Sequence, residues 1–234
     1  MTYRSLLGAL TLGLAALAQT GMAGDAKSPV VVELFTSQGC SSCPPADELL
    51  HKLSRRDDVI ALALHVDYWD YIGWKDQFAL PGHTERQKGY ARVAGRRTIY
   101  TPQMIINGSD HVVGTHPMDV SELIALHEDR DLAVDLRVER SGQGVSITAR
   151  PVRGISATLD VTLVQYEPEA RVDITRGENA GRVLSYSNIV REWHDLGEWD
   201  GTGEWETEVD LSPPAVVLIQ EAGFGEILAA QDIR

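Results

Sequence analysis

The segment VVVELFTSQGCSSCPPAD, residues 30–47, carries the strongest indication of how this chain folds. It begins with an apolar run of strand length that only Glu33 interrupts, and such a run is typical of a buried strand. The turn-forming segment 36–39 ends the run and leads directly to two cysteines, Cys40 and Cys43. The sequence therefore predicts a buried strand that is followed at once by a Cys-x-x-Cys pair.

A helix is predicted immediately after Cys43. Pro44 and Pro45 fit only in the first turn of a helix, because an N–H group has no intrahelical partner there. Residues 59–66 form a second apolar run, so the chain from 30 to 66 predicts two parallel strands joined by a right-handed helical crossover. The apolar side chains of that helix recur at helical spacing: Ala46, Leu49, Leu50 and Leu53.

The elements keep alternating further along the chain. Thr84 and Gln87 form a capping box for a helix that ends at Gly95. Asn107-Gly108, between two apolar runs, predicts a β-hairpin, and another helix is expected to begin near Pro117. The predicted order up to this point is β-α-β-α-β-β-α.

A change of periodicity after the charged segment 128–131 predicts a domain boundary. We expect an α/β domain over residues 24–130 and a smaller antiparallel β-sandwich domain over residues 131–234. In the second domain apolar and polar residues alternate, as in strands with one buried face, at 132–138, 145–149, 159–163 and 205–211.

The overall composition excludes several classes of protein. The 234 residues are 43% hydrophobic and carry a formal net charge of −13, with no run rich in Lys and Arg. A packed core is expected, whereas binding to nucleic acid or to an anionic membrane is not. Because Cys40 and Cys43 are the only cysteines, a disulfide-rich scaffold is excluded as well.

The N-terminus has the pattern of a secretory signal peptide, predicted for residues 1–23. Arg4 precedes an apolar run at 6–18 that is too short to span a bilayer, and a small-residue site ends at Ala23. We expect a protein that is periplasmic or secreted, without stable membrane insertion after cleavage; an uncleaved N-terminal anchor is the alternative. Export would place the cysteines in an oxidising compartment, where a disulfide persists.

The cysteine pair at the start of a helix has a specific chemical use. Cys40 is predicted at the positive end of the helix dipole, where unpaired backbone N–H groups stabilise a thiolate, so it is the expected attacking sulfur. Cys43, one turn further along, can resolve a mixed disulfide by forming the intramolecular bond. The pair is therefore predicted to cycle between dithiol and disulfide.

Thr101-Pro102, directly before an apolar strand, completes a resemblance to the thioredoxin-like superfamily over residues 29–129. The resemblance implies a thioredoxin-like α/β fold for the first domain, with a cis Pro102 packed against the cysteines. It also implies that the backbone of Thr101 offers hydrogen bonds to an extended substrate. Glu33 matches a buried acid that takes a proton from the resolving cysteine; the alternative for Glu33 is a carboxylate that faces water.

Three longer stretches narrow the resemblance. Residues 35–47, 65–74 and 176–182 resemble a bacterial family of exported thioredoxin-like proteins that is described only as a domain of unknown function. The family implies a fold and no substrate. Ser41-Ser42, between the cysteines, departs from the common thioredoxin motif and leaves the direction of the redox chemistry open.

Aromatic residues leave the second strand at the sheet edge where the cysteines are predicted. Tyr68, Trp69, Tyr71 and Trp74 are candidates for a substrate-binding platform beside Cys40; alternatively they cap the sheet or bury an interface with the second domain. The segment 176–179 gives a second criterion. If it packs across the cysteine rim it favours a shaped substrate site, and on the far side it would be scaffolding.

A zinc or copper site is the main chemical alternative. The two cysteines with His111 and His116 superficially match a Cys2His2 set. The two halves lie far apart in sequence and prolines follow Cys43, so we expect no metal and no other cofactor. His65 ends a buried strand and is interpreted as a hydrogen-bonded core residue.

The predicted function is that of an exported thiol–disulfide oxidoreductase. Its expected partners are protein or small-molecule thiols and disulfides, and the partner that recycles it is left open. The alternative is a non-catalytic periplasmic binding or assembly protein in which the Cys40–Cys43 bond is a stable clip. A reactive, exposed Cys40 distinguishes the first function from the second.

Overall fold

The computed structural model describes residues 27–141, 144–211 and 214–233, so the predicted signal peptide at 1–23 lies outside the described residues. Within these ranges no helix combines the length and the apolar composition that a membrane crossing requires. The described elements are β1 (Val30–Thr36), α1 (Pro44–Leu53), β2 (Val59–His65), a 3-10 turn (Asp70–Ile72), α2 (Pro81–Val93), β3 (Gln103–Ile106), β4 (Asp110–Val113), α3 (Pro117–Glu128), β5 (Val134–Ser141), β6 (Gly144–Pro151), β7 (Leu159–Ile174), β8 (Arg182–Trp199), β9 (Trp205–Asp210), β10 (Ala215–Glu221) and β11 (Ile227–Ile233).

A large mixed sheet forms the centre of the fold. Its strand order is β11-β10-β7-β8-β2-β1-β3-β4, and β1 and β2 run parallel with α1 between them in sequence, as predicted. On one face of β1, Val32 and Leu34 pack with α1 and α3. On the other face, Val31 and Phe35 pack with Tyr90 of α2. Side-chain alternation along β1 therefore decides which of its residues contact α1, the helix that follows the cysteines.

The C-terminal strands extend this same sheet. The sequence interpretation placed them in a separate sandwich behind a boundary at 130/131, which falls between α3 and β5. Instead, β8 lies beside β2 in parallel at Ala63 and Ile189, and Asn188 Nδ2 donates to the carbonyl oxygen of Ala61 at 2.8 Å. The chain thus has a mixed α/β fold with one large mixed sheet and one smaller sheet.

The smaller sheet is antiparallel and has the order β5-β6-β9. It shares an apolar core with the outer strands of the large sheet, to which both sheets contribute buried residues, among them Val134, Ile147, Val161, Val217 and Ala229. Two sheets that pack face to face around a shared apolar core form a β-sandwich arrangement.

The start of α2 differs from the prediction. The helix begins at Pro81 rather than at a capping box of Thr84 and Gln87. Pro81 occupies the first turn, where its missing N–H costs nothing, and the two predicted capping side chains are used elsewhere. Thr84 Oγ1 donates to Asp67 Oδ1 at 2.6 Å, and Gln87 Nε2 donates to the carbonyl of Tyr100 at 2.7 Å.

The sequence predicted only the start of β7, at 159–163, and did not predict the long β7–β8 hairpin. Its register shifts between Val161 and Thr162 and again between Gln165 and Tyr166, so a single period of two cannot describe it. Its strands are 16 and 18 residues long, and its tip, residues 175–181, carries the predicted 176–179 segment away from the base of the hairpin. The hairpin therefore reaches from the smaller sheet to the cysteines.

Substitution of Gly108 tests the packing of the β3–β4 hairpin. Gly108 has φ +72°, and a Cβ there would lie 2.5 Å from the carbonyl oxygen of Gly225. We expect Gly108→Ala to lower the free energy of unfolding by roughly 1–3 kcal/mol, measured by urea denaturation. Gly154→Ala is the matched control, because a Cβ at Gly154 meets nothing within 4 Å. Equal stability of the two variants would contradict this packing.

Candidate functional site

Cys40 and Cys43 form a disulfide whose Cα atoms are 5.4 Å apart. Helix α1 begins at Pro44, so Cys43 is its N-cap residue and Cys40 lies in the loop before it. Cys40 is 2% exposed and Cys43 is 0% exposed, whereas Ser41 and Ser42 between them face solvent. The motif has the predicted place in the fold, but both sulfur-bearing residues are covered.

The first turn of α1 does not supply the N–H groups that were expected for a thiolate. Pro44 and Pro45 have no N–H to donate, and the amides of Ala46 and Asp47 both donate to the carbonyl of Cys43, at 2.8 and 3.1 Å. The expectation of free donors in this turn is therefore wrong. The helix dipole remains as the contribution of α1 to a charge at Cys40.

A side-chain donor lies closer to the sulfur. Ser42 Oγ is 3.4 Å from Cys40 Sγ. A disulfide sulfur carries no hydrogen, so the Ser42 hydroxyl is the donor in this contact. In the reduced protein the same hydroxyl can donate to the Cys40 thiolate, which favours the charged form.

Thr101 and Pro102 lie on the same side as the start of α1. Their peptide bond is cis, the isomer that the resemblance implies. A Cβ placed on Gly114 would contact both Pro102 Cβ at 3.3 Å and Ala46 Cβ at 3.0 Å. Pro102 and α1 are therefore separated by the space of a small side chain. The Trp69 indole N–H donates to Thr101 Oγ1 at 2.7 Å, which ties Thr101 to the aromatic segment.

The structure does not bring Glu33 to the cysteines. Glu33 is fully buried, but it lies on the α2 face of β1, opposite α1. Arg86 Nε donates to its carboxylate at 2.6 Å and the hydroxyl of Tyr90 donates at 2.5 Å. Neither the water-facing nor the catalytic interpretation describes this carboxylate, which forms a buried ion pair that joins α2 to β1.

A different buried acid lies in the first turn of α1, the helix that follows the cysteines. Asp47 is one helical turn after Cys43, on the side of α1 that faces the sheet, and its carboxylate accepts a hydrogen bond from Thr36 Oγ1 at 2.8 Å. Burial raises the pKa of Asp47 to about 7, although His65 and the bond from Thr36 oppose the shift. Asp47 therefore exchanges a proton near neutral pH.

His65 and Asp76 complete a buried polar cluster, which consists of Thr36, Asp47, His65 and Asp76. Thr36 and His65 end the parallel strands β1 and β2 at paired positions. His65 Nδ1 is 2.7 Å from Asp76 Oδ2, and His65 is a hydrogen-bonded core residue as interpreted. Burial acts to raise the pKa of Asp76, but His65 and the N–H groups of Gln38 and Phe78 hold it below its usual value.

The buried polar cluster retains unused hydrogen-bonding capacity. Among the described residues, His65 Nε2 and the hydroxyl of Tyr186 have no hydrogen-bond partner. The ring of Tyr186 packs edge-on against His65, with centroids 4.8 Å apart. Unpaired polar atoms in a buried site are costly, and they are typical of places where function opposes stability.

The aromatic residues lie beside the cysteine loop and are already engaged within the protein. The indole of Trp74 donates to Gln38 Oε1 at 2.8 Å, and Tyr68 donates to Gln87 Oε1 at 3.1 Å. Trp69 bonds to Thr101 as described above, and it stacks on Tyr71, which is 81% exposed. Tyr71 is therefore the candidate side chain of this segment that is most open to a ligand.

The tip of the β7–β8 hairpin packs across the cysteine loop. Asn179 Nδ2 donates to the main-chain carbonyls of Gln38 and Cys40, both at 3.0 Å. Gly177 lies against Trp74, where a Cβ would be 3.1 Å from Trp74 Cβ. By the criterion set out for this segment, its position favours a shaped site over scaffolding.

The histidines of the metal alternative have other partners. His111 Nδ1 is 3.0 Å from Gln103 Nε2, and His116 Nδ1 is 3.2 Å from Asp119 Oδ2. Over residues 27–141, 144–211 and 214–233, no group of three His, Cys, Asp or Glu side chains has the arrangement of a metal site.

Sequence reasoning missed Asp47 and Asp76 as site residues, and it considered Asn179 only as one member of the 176–179 segment. Only Asp47 had a usable signal, because it lies four residues after Cys43 and so shares its helix face. Asp76 and Asn179 reach the cysteine loop across 38 and 141 residues of sequence, so no local periodicity predicts the hydrogen bonds that they form there.

Comparisons with known proteins agree with this architecture. A family model described as "Protein of unknown function (DUF1223)" matches residues 31–220. The crystal structure of protein AGR_C_4864 from Agrobacterium tumefaciens is 34% identical, with a TM-score of 0.77, over 90% of this chain and 96% of that chain. HBP35 of Porphyromonas gingivalis, at 17% identity and a TM-score of 0.60 over 90% of this chain and 76% of that chain, shares the fold alone. A comparison with curated proteins gave no match.

The pH dependence of stability tests the raised pKa of Asp47. The native protein keeps the Asp47 proton up to a pH of about 7, whereas the unfolded chain releases it near 3.8, the ordinary pKa of an aspartic acid. Raising the pH between these values therefore destabilises the native state. Relative to wild type, Asp47→Asn should become more stable by up to ~4 kcal/mol across this range, since one pKa unit is about 1.4 kcal/mol.

The measurement is urea denaturation of both proteins from pH 4 to pH 8. Glu122→Gln, on the exposed side of α3, controls for the loss of one charge, and its stability relative to wild type should change much less with pH, because solvent screens an exposed charge. A difference between Asp47→Asn and wild type that stays constant over this pH range would contradict the assignment.

Proposed function

The chain belongs to the DUF1223 family, and we propose that it is an exported thiol–disulfide oxidoreductase whose front half, β1 to α3, is thioredoxin-like. The observation that carries the proposal is the Cys40–Cys43 disulfide at the start of α1, with Asp47 in the first turn of the same helix as a buried acid whose pKa is raised to about 7. A structural clip has no use for such an acid, whereas thiol exchange moves a proton at each step. The cis peptide at Pro102 beside α1 adds support.

The first step is attack by the reduced enzyme. The Cys40 thiolate, which the helix dipole and the Ser42 hydroxyl stabilise, attacks one sulfur of a substrate disulfide. A Cys40–substrate mixed disulfide forms, and the other substrate sulfur leaves as a thiolate that takes a proton from water. The backbone of Thr101 would hold an extended substrate segment beside Cys40.

The second step resolves the mixed disulfide. Cys43 attacks Cys40 Sγ, the bond to the substrate breaks, and the second substrate sulfur leaves as a thiolate. We assign to Asp47 the role that sequence reasoning gave to Glu33, which is to take the proton of the Cys43 thiol. A carboxylate with a pKa of about 7 is suited to this transfer, because it can both accept and return a proton. His65 and Asp76, which contact each other, also act electrostatically on the pKa of Asp47.

The substrates would be protein or small-molecule thiols and disulfides in the periplasm or outside the cell. The negative charge of the chain disfavours anionic partners, and the exposed ring of Tyr71 offers apolar area next to the cysteine loop. A separate redox partner would return the cysteine pair to its starting state, since the pair changes oxidation state once in each exchange.

The second candidate is a binding or assembly protein with a structural disulfide. The low exposure of Cys40 and Cys43 favours it, because an inert bond needs no access. Asn179 also fixes the loop that carries them. The two candidates differ in whether the bond exchanges with external thiols.

Exchange kinetics separate the two candidates. We expect the wild-type chain lacking residues 1–23 to accelerate reduction of insulin disulfides by dithiothreitol, and Cys40→Ser to lose this activity by about a hundredfold or more. Cys43→Ser should accumulate a mixed disulfide with insulin, visible on a non-reducing gel. Ser41→Ala, an exposed change in the same loop, is the control and should keep the wild-type rate.

An intact disulfide with no acceleration above that of free dithiothreitol would contradict the proposal. The structural-clip candidate would then stand, and Cys40→Ser would act on stability alone.

A second variant tests the hydroxyl donor. In a Cys43→Ser background, which leaves Cys40 as the single thiol, we expect Ser42→Ala to raise the pKa of Cys40 by roughly one unit, because one hydrogen bond to the thiolate is lost. The pKa is measured from the pH dependence of alkylation by iodoacetamide. Ser41→Ala again serves as the control, and an unchanged midpoint in Ser42→Ala would show that the hydroxyl does not act on the thiolate.

A further inference from the structure

Asn179 connects the C-terminal half of the chain to the atoms next to Cys40. Its side chain is 1% exposed, and its amide nitrogen donates to the carbonyls of Gln38 and Cys40. A single NH2 group that bridges two carbonyls fixes both peptide units relative to the hairpin tip. The position of Cys40 therefore depends on a residue that follows it by 139 positions.

The hairpin tip is itself held in place. Arg182 Nη1 donates to Asn179 Oδ1 at 2.9 Å, which orients the amide nitrogen toward the cysteine loop. Within the tip, the amide of Gly181 donates to the carbonyl of Ile174 at 2.7 Å, and the side chain of Ile174 is fully buried. Asn179 is thus presented by a folded turn with a packed base.

Two segments pack against the main chain of the cysteine loop. The hairpin tip does so through Asn179, which donates to the carbonyl of Cys40, and the aromatic segment does so at Gly39, where a Cβ would lie 3.2 Å from Trp69 Cβ. The exposed residues of the loop are Ser41 and Ser42. A thiolate must approach Cys40 Sγ along the S–S axis, and Cys40 is only 2% exposed. An attacking molecule that is too large to reach the sulfur in this arrangement therefore requires the hairpin tip to move.

We propose that Asn179 is a positioning residue that makes exchange at Cys40 selective for small thiols and extended segments over folded protein dithiols. The proposal rests on the proposed function for its biological meaning. In the step concerned, an external thiolate attacks Cys40 Sγ, the bond to Cys43 breaks, and Cys43 leaves as a thiolate that takes up a proton. A second external thiol then releases Cys40, so two thiols are oxidised to one disulfide while the cysteine pair is reduced.

The test compares two reductants of different size on the oxidised chain. Dithiothreitol is the small dithiol and reduced thioredoxin is the folded protein dithiol, and the reduced fraction is read by alkylation and mass spectrometry. We expect Asn179→Ala to increase the rate with thioredoxin by about tenfold and the rate with dithiothreitol by less than about threefold, because the lost bonds free the tip.

Further variants keep the test independent of folding. Asn179→Asp preserves size but has no N–H donor, so it should behave like Asn179→Ala, and Arg182→Gln should give a smaller change in the same direction. Glu178→Gln, an exposed neighbour in the tip, is the control and should match wild type. Thermal unfolding of each variant verifies that the fold is retained.

Two outcomes would overturn the proposal. Equal rates in wild type and Asn179→Ala with both reductants would show that the tip does not limit access. An equal increase with both reductants would show a general loosening without selection by size. The proposed function is tested separately by insulin reduction, so a chain that fails that assay but shows the size-dependent change would retain the role of Asn179 and lose the oxidoreductase assignment.

Discussion

The buried main chain of the cysteine loop is the constraint that shapes the whole site. A peptide group that is removed from water needs a hydrogen-bond partner, and the loop supplies only some of them itself, as where the amide of Cys40 donates to the carbonyl of Ser37. Other partners come from three distant segments. Val66 donates to the carbonyl of Thr36 at 2.9 Å, Asp76 accepts from the amide of Gln38, and Asn179 donates to two carbonyls. The positions of the aromatic segment and of the β7–β8 hairpin follow from these bonds.

Glu33 and Asp47 are buried acids on opposite faces of the large sheet, and their roles differ because their surroundings differ. Glu33 contacts the guanidinium of Arg86, which also bonds to Gln220 of β10 at 3.0 Å, so this ion pair joins α2, β1 and the C-terminal strands. Asp47 has the hydroxyl of Thr36 as its hydrogen-bond donor and is fully buried, which brings its pKa close to neutrality. The buried ion pair of Glu33 and Arg86 holds elements of the fold together. A buried acid without a contacting cation, such as Asp47, instead destabilises the native state near neutral pH, and such a cost is typical of a site where a proton must move.

The continuity of the large sheet explains why the C-terminal half takes part in the site. β8 lies directly beside β2, and its hairpin extends past the end of that strand to the cysteine loop. Sequence reasoning found the strands of the smaller sheet and the start of β7, because their alternation is regular. It did not find β8, whose bulges interrupt the period and whose surface positions are rich in charge. The sheet order, and with it the site of Asn179, depended on that strand.

Features encoded within one turn or one strand could be read from the amino acids directly: the buried strand before Cys40, the prolines that start α1, the Asn107-Gly108 hairpin, and the stop of α2 near Gly95. Long-range packing determined which face of β1 carries Glu33, that α2 starts at Pro81 instead of the Thr84 box, and that Asp47 and Asn179 lie at the cysteines. The physical reason is the distance along the sequence over which each effect acts. Backbone preference and periodicity act between near neighbours, whereas burial, ion pairing and the pKa of an acid depend on which strands lie side by side.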